Sequence, residues 1–157
     1  MTGLDRRRAI ALTALIGVFI STYLYLYALG YYGELACGGA GGCSEVQASR
    51  YSRFLGFPVA GWGLGWYLAV FATSLVSVTS RGDARWVSVG LVALSTGGLI
   101  FTAYLTALEL WVIHAICRWC VVSAVLTLTI FALSIPEVRI ARGRVAPVSQ
   151  EPAETAC

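Results

Sequence analysis

Four of the five cysteines fall into two pairs, Cys37 with Cys43 and Cys117 with Cys120. Cys117 and Cys120 are spaced i, i+3. On a helix that spacing puts their Cα atoms roughly 5 Å apart, within reach of a disulfide. A Cys-x-x-Cys near a helix N-terminus gains thiolate character from the helix dipole, and Arg118 between the two adds positive potential. The thiolate is the form that attacks. Cys37 and Cys43 enclose Gly38-Gly39-Ala40-Gly41-Gly42, a very flexible tether. A static staple does not need such a tether; a cysteine that swings between two partners does. The pattern therefore implies that Cys43 alternates between Cys37 and the helical pair by thiolate attack on a disulfide.

Blander readings stand beside this one. Cys37–Cys43 also suits a simple loop staple. His114 completes a His-x-x-Cys-x-x-Cys run, half of a zinc site in form, but an oxidising compartment argues against zinc. No metal is expected. His114, the only histidine, is expected one turn before Cys117 on the same side. It is a candidate proton relay or a packed interfacial residue. Cys157 ends the chain on the opposite side of the membrane and is assigned no role.

The elements that must position these residues are read from apolar runs. Of 157 residues, 58% are apolar and 12% charged, with no Lys and no Asn. That is too little polar surface for a soluble domain. Four segments, about 9–32, 57–80, 86–108 and 111–135, are long and apolar enough to span a bilayer. The expected fold is an all-α integral membrane protein: a four-transmembrane-helix bundle with a loop and a short amphipathic half-helix between helices 1 and 2. Residues 1–140 form its one domain and 141–157 a disordered tail. Arg6, Arg7 and Arg8, Arg81 and Arg85, and Arg139, Arg142 and Arg144 mark three cytoplasmic regions. Both termini then lie inside, and the paired cysteines lie at the extracytoplasmic face of the cell membrane. Tyr27, Tyr31, Tyr32, Trp62, Trp66 and Trp111 suit an interfacial aromatic belt. Tyr23 and Tyr25 lie deeper, so at least one hydroxyl should face the bundle. The net charge of +3 comes largely from these anchors and forms no nucleic-acid-binding stripe.

Taken together, these residues resemble the vitamin K epoxide reductase (VKOR) family in its prokaryotic branch. The resemblance is carried by Cys37…Cys43, by Cys43-Ser44-Glu45-Val46-Gln47-Ala48-Ser49-Arg50-Tyr51, by Gly56-Phe57-Pro58-Val59-Ala60-Gly61, and by Cys117-x-x-Cys120. It covers about Ile10 to Ile135. It implies a membrane thiol:quinone oxidoreductase that supports disulfide formation. Cys120 would stand beside the quinone, Cys117 would be its resolving partner, and Cys43 would relay electrons to Cys117. Cys37 would take them from a thioredoxin-like or DsbA-like protein outside. Ser49 would stand near the quinone pocket, on a half-helix over Ser44 to Phe54 whose Val46, Tyr51 and Phe54 can turn inward. Phe57, Trp62, Trp66, Trp111 and Ile116 are the expected pocket residues.

Two departures shape the expectation. Many bacterial relatives carry a fused thioredoxin-like domain; this chain stops after the fourth helix, so its thiol partner should be a separate protein. The animal enzymes hold the vitamin's oxygens with an Asn and a Tyr; here there is no Asn, and Ala124 takes the Tyr position. Quinone reduction is therefore expected rather than epoxide reduction, with ubiquinone, menaquinone or a vitamin K-like acceptor, in a monomer. DsbB-type enzymes do the same chemistry in a four-helix bundle, but with Cys-x-x-Cys in the first outer loop. A non-catalytic membrane protein with structural disulfides is the remaining alternative.

Overall fold

A computed structural model describes residues 3–31, 33, 35, 42–79 and 85–143. Four long helices form the bundle: α1 (Gly3–Ala28), α3 (Val59–Thr79), α4 (Arg85–Leu108) and α5 (Arg118–Gly143). Between α1 and α3 lie a short helix α2 (Gly42–Ala48), a 3-10 turn (Arg50–Ser52) and a two-strand hairpin, β1 (Arg53–Phe54) with β2 (Phe57–Pro58). Four stretches of 19 to 28 residues are apolar enough to cross a membrane. The shortest, at 1.5 Å per residue, covers about 28 Å, close to a bilayer's hydrocarbon core. The chain is an all-α, multi-pass membrane bundle.

In lipid every polar group needs a partner inside the protein. The hydroxyls of Thr13, Thr22, Thr73, Thr96, Thr129 and Ser134 each donate to the carbonyl four residues earlier, at 2.7 to 2.8 Å. Small residues bring the helices together. Gly17 of α1 faces the Tyr67 ring of α3, and Gly98 of α4 faces the Trp66 ring, so closely that a methyl group would overlap either ring. The mid-bundle core is Ile10, Ala14, Tyr67, Val70, Leu91 and Ile130.

The helix bounds correct the apolar-run reading in several places. The first helix begins at Gly3 rather than about residue 9, because Arg6, Arg7 and Arg8 are good helix formers and extend it beyond the apolar stretch. It stops at Ala28 rather than 32. Gly30 takes a positive φ of 85°; its N–H donates to the Tyr27 carbonyl and that of Tyr31 to the Leu26 carbonyl, a Schellman ending. Phe57 and Pro58 belong to the hairpin, not the second spanning helix. The turn residues Leu55 and Gly56 have φ of 54° and 79°, as a tight two-residue hairpin requires. Trp111 ends the third span rather than opening the fourth, which begins at Arg118. The fourth helix runs past 135 to Gly143; the rest of the expected tail, with Cys157, lies outside the described residues.

Half-buried Tyr23 meets the Trp119 ring of α5 edge-on at 5.5 Å, and Tyr25 meets Phe57 at 5.7 Å. The Trp66 indole turns into the bundle, where its N–H donates to the Leu94 carbonyl at 2.9 Å.

Candidate active site

The cysteine end of the bundle is built on irregular backbone. After Leu108, α4 loosens into one π turn, Glu109–Ile113. His114 ends it in the left-handed region, φ 56°, where its N–H still reaches the Glu109 carbonyl. The Ala115 N–H shares that carbonyl at 3.3 Å. Ala115, Ile116 and Cys117 then link to α5. His114 is therefore an exposed cap residue, not a helical neighbour of Cys117 one turn earlier.

Cys117 sits at the N-cap position of α5, just before its first residue. Its Sγ accepts the backbone N–H of Cys120 at 3.4 Å, and its carbonyl accepts that of Val121 at 3.0 Å. This is the geometry by which Ser or Asp normally caps a helix, and a negative sulfur suits it better than a neutral one. The Cys120 thiol also lies within hydrogen-bonding reach of the same sulfur. That contact, helped by backbone N–H groups, holds Cys117 below the ordinary thiol range against the opposing effects of burial and of Glu109. Cys117 and Cys120 are both free thiols, so the structure holds the helical pair reduced.

Glu109 was not singled out from the sequence as a site residue. Its side chain is only 7% exposed. A carboxylate oxygen accepts the Cys117 N–H at 3.3 Å, and the carboxylate also lies within hydrogen-bonding reach of the Cys120 thiol. The available signal was its isolation: it is the only acid between Asp83 and Glu137, inside a long apolar run.

Cys43, the second residue of α2, is disulfide-bonded and fully buried, as is Cys117. These two pack in one cluster with Val46 and Ala115, flanked by Ile113, Trp119 and Cys120. Gly42 makes the approach possible. A Cβ there would overlap the Ile116 carbonyl and lie 2.9 Å from its nitrogen, so only glycine lets α2 lie against the link before α5. Cys37 lies outside the described residues.

A cavity of about 400 Å³ opens beside this cluster. Its walls are Val46, Gln47, Ser49 and Tyr51 of the α2 segment, Phe54, Trp62, Trp66 and Tyr67, Gly97, Phe101 and Leu105 of α4, then Glu109, Cys120, Ser123, Ala124 and Thr127. That is the size and mostly apolar character of a pocket for a ring-sized ligand. Cys120 is the cysteine on the wall. Ser49 reaches the cavity while its hydroxyl donates to the Val46 carbonyl at 2.7 Å. At the polar end, the Tyr67 hydroxyl lies 3.0 Å from the Ser123 carbonyl and 2.9 and 3.2 Å from the hydroxyls of Ser123 and Thr127.

Of the five expected pocket residues, Trp62 and Trp66 line the cavity and three do not. Phe57 packs behind Trp62, with ring centroids 6.3 Å apart. Trp111 and Ile116, 78% and 56% exposed, point outward because the π turn and the link rotate them off the inner face. Tyr51 and Phe54 line the wall, and the Phe54 ring rests against Phe101 at 6.0 Å. Among the described residues no three His, Cys, Asp or Glu side chains are arranged to hold a metal ion.

The arrangement thus joins a buried loop cysteine, a helix-capping cysteine, and a third cysteine on the wall of an apolar cavity, within a membrane bundle. The vitamin K epoxide reductase family model matches residues 8–135. The chain belongs to the vitamin K epoxide reductase family, and is in general terms a membrane thiol–disulfide and quinone oxidoreductase.

Proposed function

We propose that the chain reoxidises a thioredoxin-like protein outside the cell membrane and passes the electrons to a quinone. Both termini would lie in the cytoplasm, as the arginine distribution favours. The carrying observation is that Cys43 and Cys117 are buried in one cluster while the next cysteine, Cys120, faces the cavity.

A thiolate of the reduced partner attacks Cys37 of the loop disulfide, and Cys43 leaves as a thiolate. Resolution within the partner releases Cys37. When the helical pair is oxidised, Cys43 attacks Cys117, an S–S bond forms between them, and Cys120 leaves with the electron pair. Closing Cys37–Cys43 again releases Cys117. The burial of Cys43 supports this order, because an outside protein cannot reach its sulfur directly. Trp62, Trp66, Phe101 and Ser49 would hold a quinone ring against Cys120, and the quinone supplies a two-electron sink. With no Asn and with Ala124 on the cavity wall, the pocket offers neither of the side chains that hold epoxide oxygens in the animal enzymes.

Trapping tests the order. In Cys120→Ala, with the loop disulfide intact and no reductant added, Cys117 attacks Cys43 and Cys37 leaves as a thiolate, so a Cys43–Cys117 crosslink should accumulate on non-reducing gels and vanish when Cys43 is also replaced. No such species, in a variant that still folds, would contradict the relay.

A further inference from the structure

Glu109 is the one buried charged group at the cavity that the disulfide relay leaves unused. It stands where α4 ends, fixed by the Cys117 N–H at 3.3 Å, and shares the cavity wall with Cys120, whose thiol lies within its hydrogen-bonding reach. The titratable groups facing it are Cys117 and Cys120. From α2, Val46 and the disulfide-bonded Cys43 pack into the adjoining cluster. Among the described residues no Arg or His forms an ion pair with it. Two negative charges this close, at a carboxylate only 7% exposed, repel strongly. Glu109 and Cys120 therefore cannot both be charged, and a thiol proton leaving Cys120 has a carboxylate waiting within a hydrogen bond.

We propose that Glu109 and Cys120 share a single proton, the Glu109 carboxylate being the internal base that takes it when Cys120 becomes the reacting thiolate. Its place in the cycle rests on the thiol:quinone reading above. Oxidising Cys117 and Cys120 breaks two S–H bonds, forms one S–S bond, and sends two electrons and two protons to a quinone, which leaves as the quinol. Glu109 carries the Cys120 proton across the step that would otherwise bury an unpaired charge, and Cys117 gives up the other. Glu109 lies within hydrogen-bonding reach of a reacting atom, and is in that sense a catalytic residue.

Proton sharing has a signature that a structural role lacks. In a Cys117→Ala chain with the loop disulfide intact, Cys120 is the only reactive thiol of the site. Its alkylation by a small maleimide is followed across about two pH units around neutrality, with mass spectrometry to identify the modified cysteine. While the pair holds one proton between two sites, the thiolate fraction is fixed by the pair and the rate is nearly flat with pH. Adding Glu109→Gln, which keeps the shape and an acceptor for the Cys117 N–H, leaves a lone thiol whose rate rises about tenfold per pH unit. Glu109→Asp should remain closer to flat. A Cys117→Ala chain that itself shows the tenfold slope overturns the proposal, whether or not Glu109→Gln folds. So do equal slopes in the two chains.

The otherwise native chain supplies the second readout. Glu109→Gln should slow quinol formation by about 100-fold, the usual worth of a positioned acid–base group. An unchanged rate overturns the inference alone. A native chain that forms no quinol sinks the thiol:quinone reading, while the alkylation slope still decides whether the proton is shared.

Discussion

The mid-bundle core and the cysteine cluster are both buried, but they are made from different backbone. Around Ile10, Tyr67, Leu91 and Ile130 the helices are regular, and hydroxyls such as those of Thr73 and Ser134 donate to carbonyls of their own helix. Around Cys43 and Cys117 the chain is a seven-residue helix, a π turn and a left-handed cap. There, one Glu109 carbonyl serves two N–H groups and one Glu109 carboxylate serves a third. Irregular backbone at membrane depth is tolerated only where protein or a cavity covers it. The difference shows a division of labour: regular helices hold the bundle together, and the irregular end aims sulfur atoms.

That division can be broken or sharpened by substitution. The largest effect is expected at Gly42. Gly42→Val must push α2 away from Ile116, so Cys43 should no longer reach Cys117, and the Cys43–Cys117 crosslink in the Cys120→Ala background should disappear. If the crosslink forms at its usual rate, the close approach at Gly42 does not aim Cys43. Next is Leu91→Ala, in the other region. Emptying this fully buried site should cost about 2–5 kcal/mol in reversible unfolding, with quinol formation by the folded fraction unchanged. A loss of turnover without a loss of stability would erase the distinction between the two regions.

A pH effect comes third. The Cys117 thiol is held below the ordinary range chiefly by the Cys120 thiol. Since the thiolate is the reactive form, Cys117 alkylation should rise with pH and level off below the ~8.5 of an ordinary cysteine. In Cys120→Ala the donor is gone, and the levelling should move to higher pH; an unmoved midpoint would mean that the cap alone sets it. The smallest effect is expected from Tyr67→Phe, which removes the hydroxyl shared with Ser123 and Thr127. Hydrogen bonds between membrane helices average about 0.6 kcal/mol, and a shift in unfolding free energy far above that would make this cluster a keystone of the bundle.

The four spans were legible because apolar length is a direct physical requirement of the bilayer, and Trp62 and Trp66 were legible as cavity walls. What the sequence hid lies at helix ends. Leu110, Trp111, Val112 and Ile113 continue the apolar run of α4 into the π turn. Hydropathy therefore does not mark where the helix stops, and Trp111 and Ile116 read as inward when they face out. Gly30 does carry a stop signal, but a run of tyrosines after it reads as more helix. Glu109 falls in the two-residue gap between the third and fourth apolar runs, where an acid suits an exposed turn. Only the fold shows that the turn is covered and the carboxylate turned in against two thiols.

Quinol formation under anaerobic conditions tests the central claim most directly. The protein, with its thiols reduced and the reductant removed, is mixed with a soluble quinone, while quinol absorbance and both disulfides are followed together. One quinol is expected for each disulfide formed, the loop and helical pairs counted together, and none from Cys120→Ala. Quinol formation that survives Cys120→Ala, or disulfide formation without quinol, would contradict it.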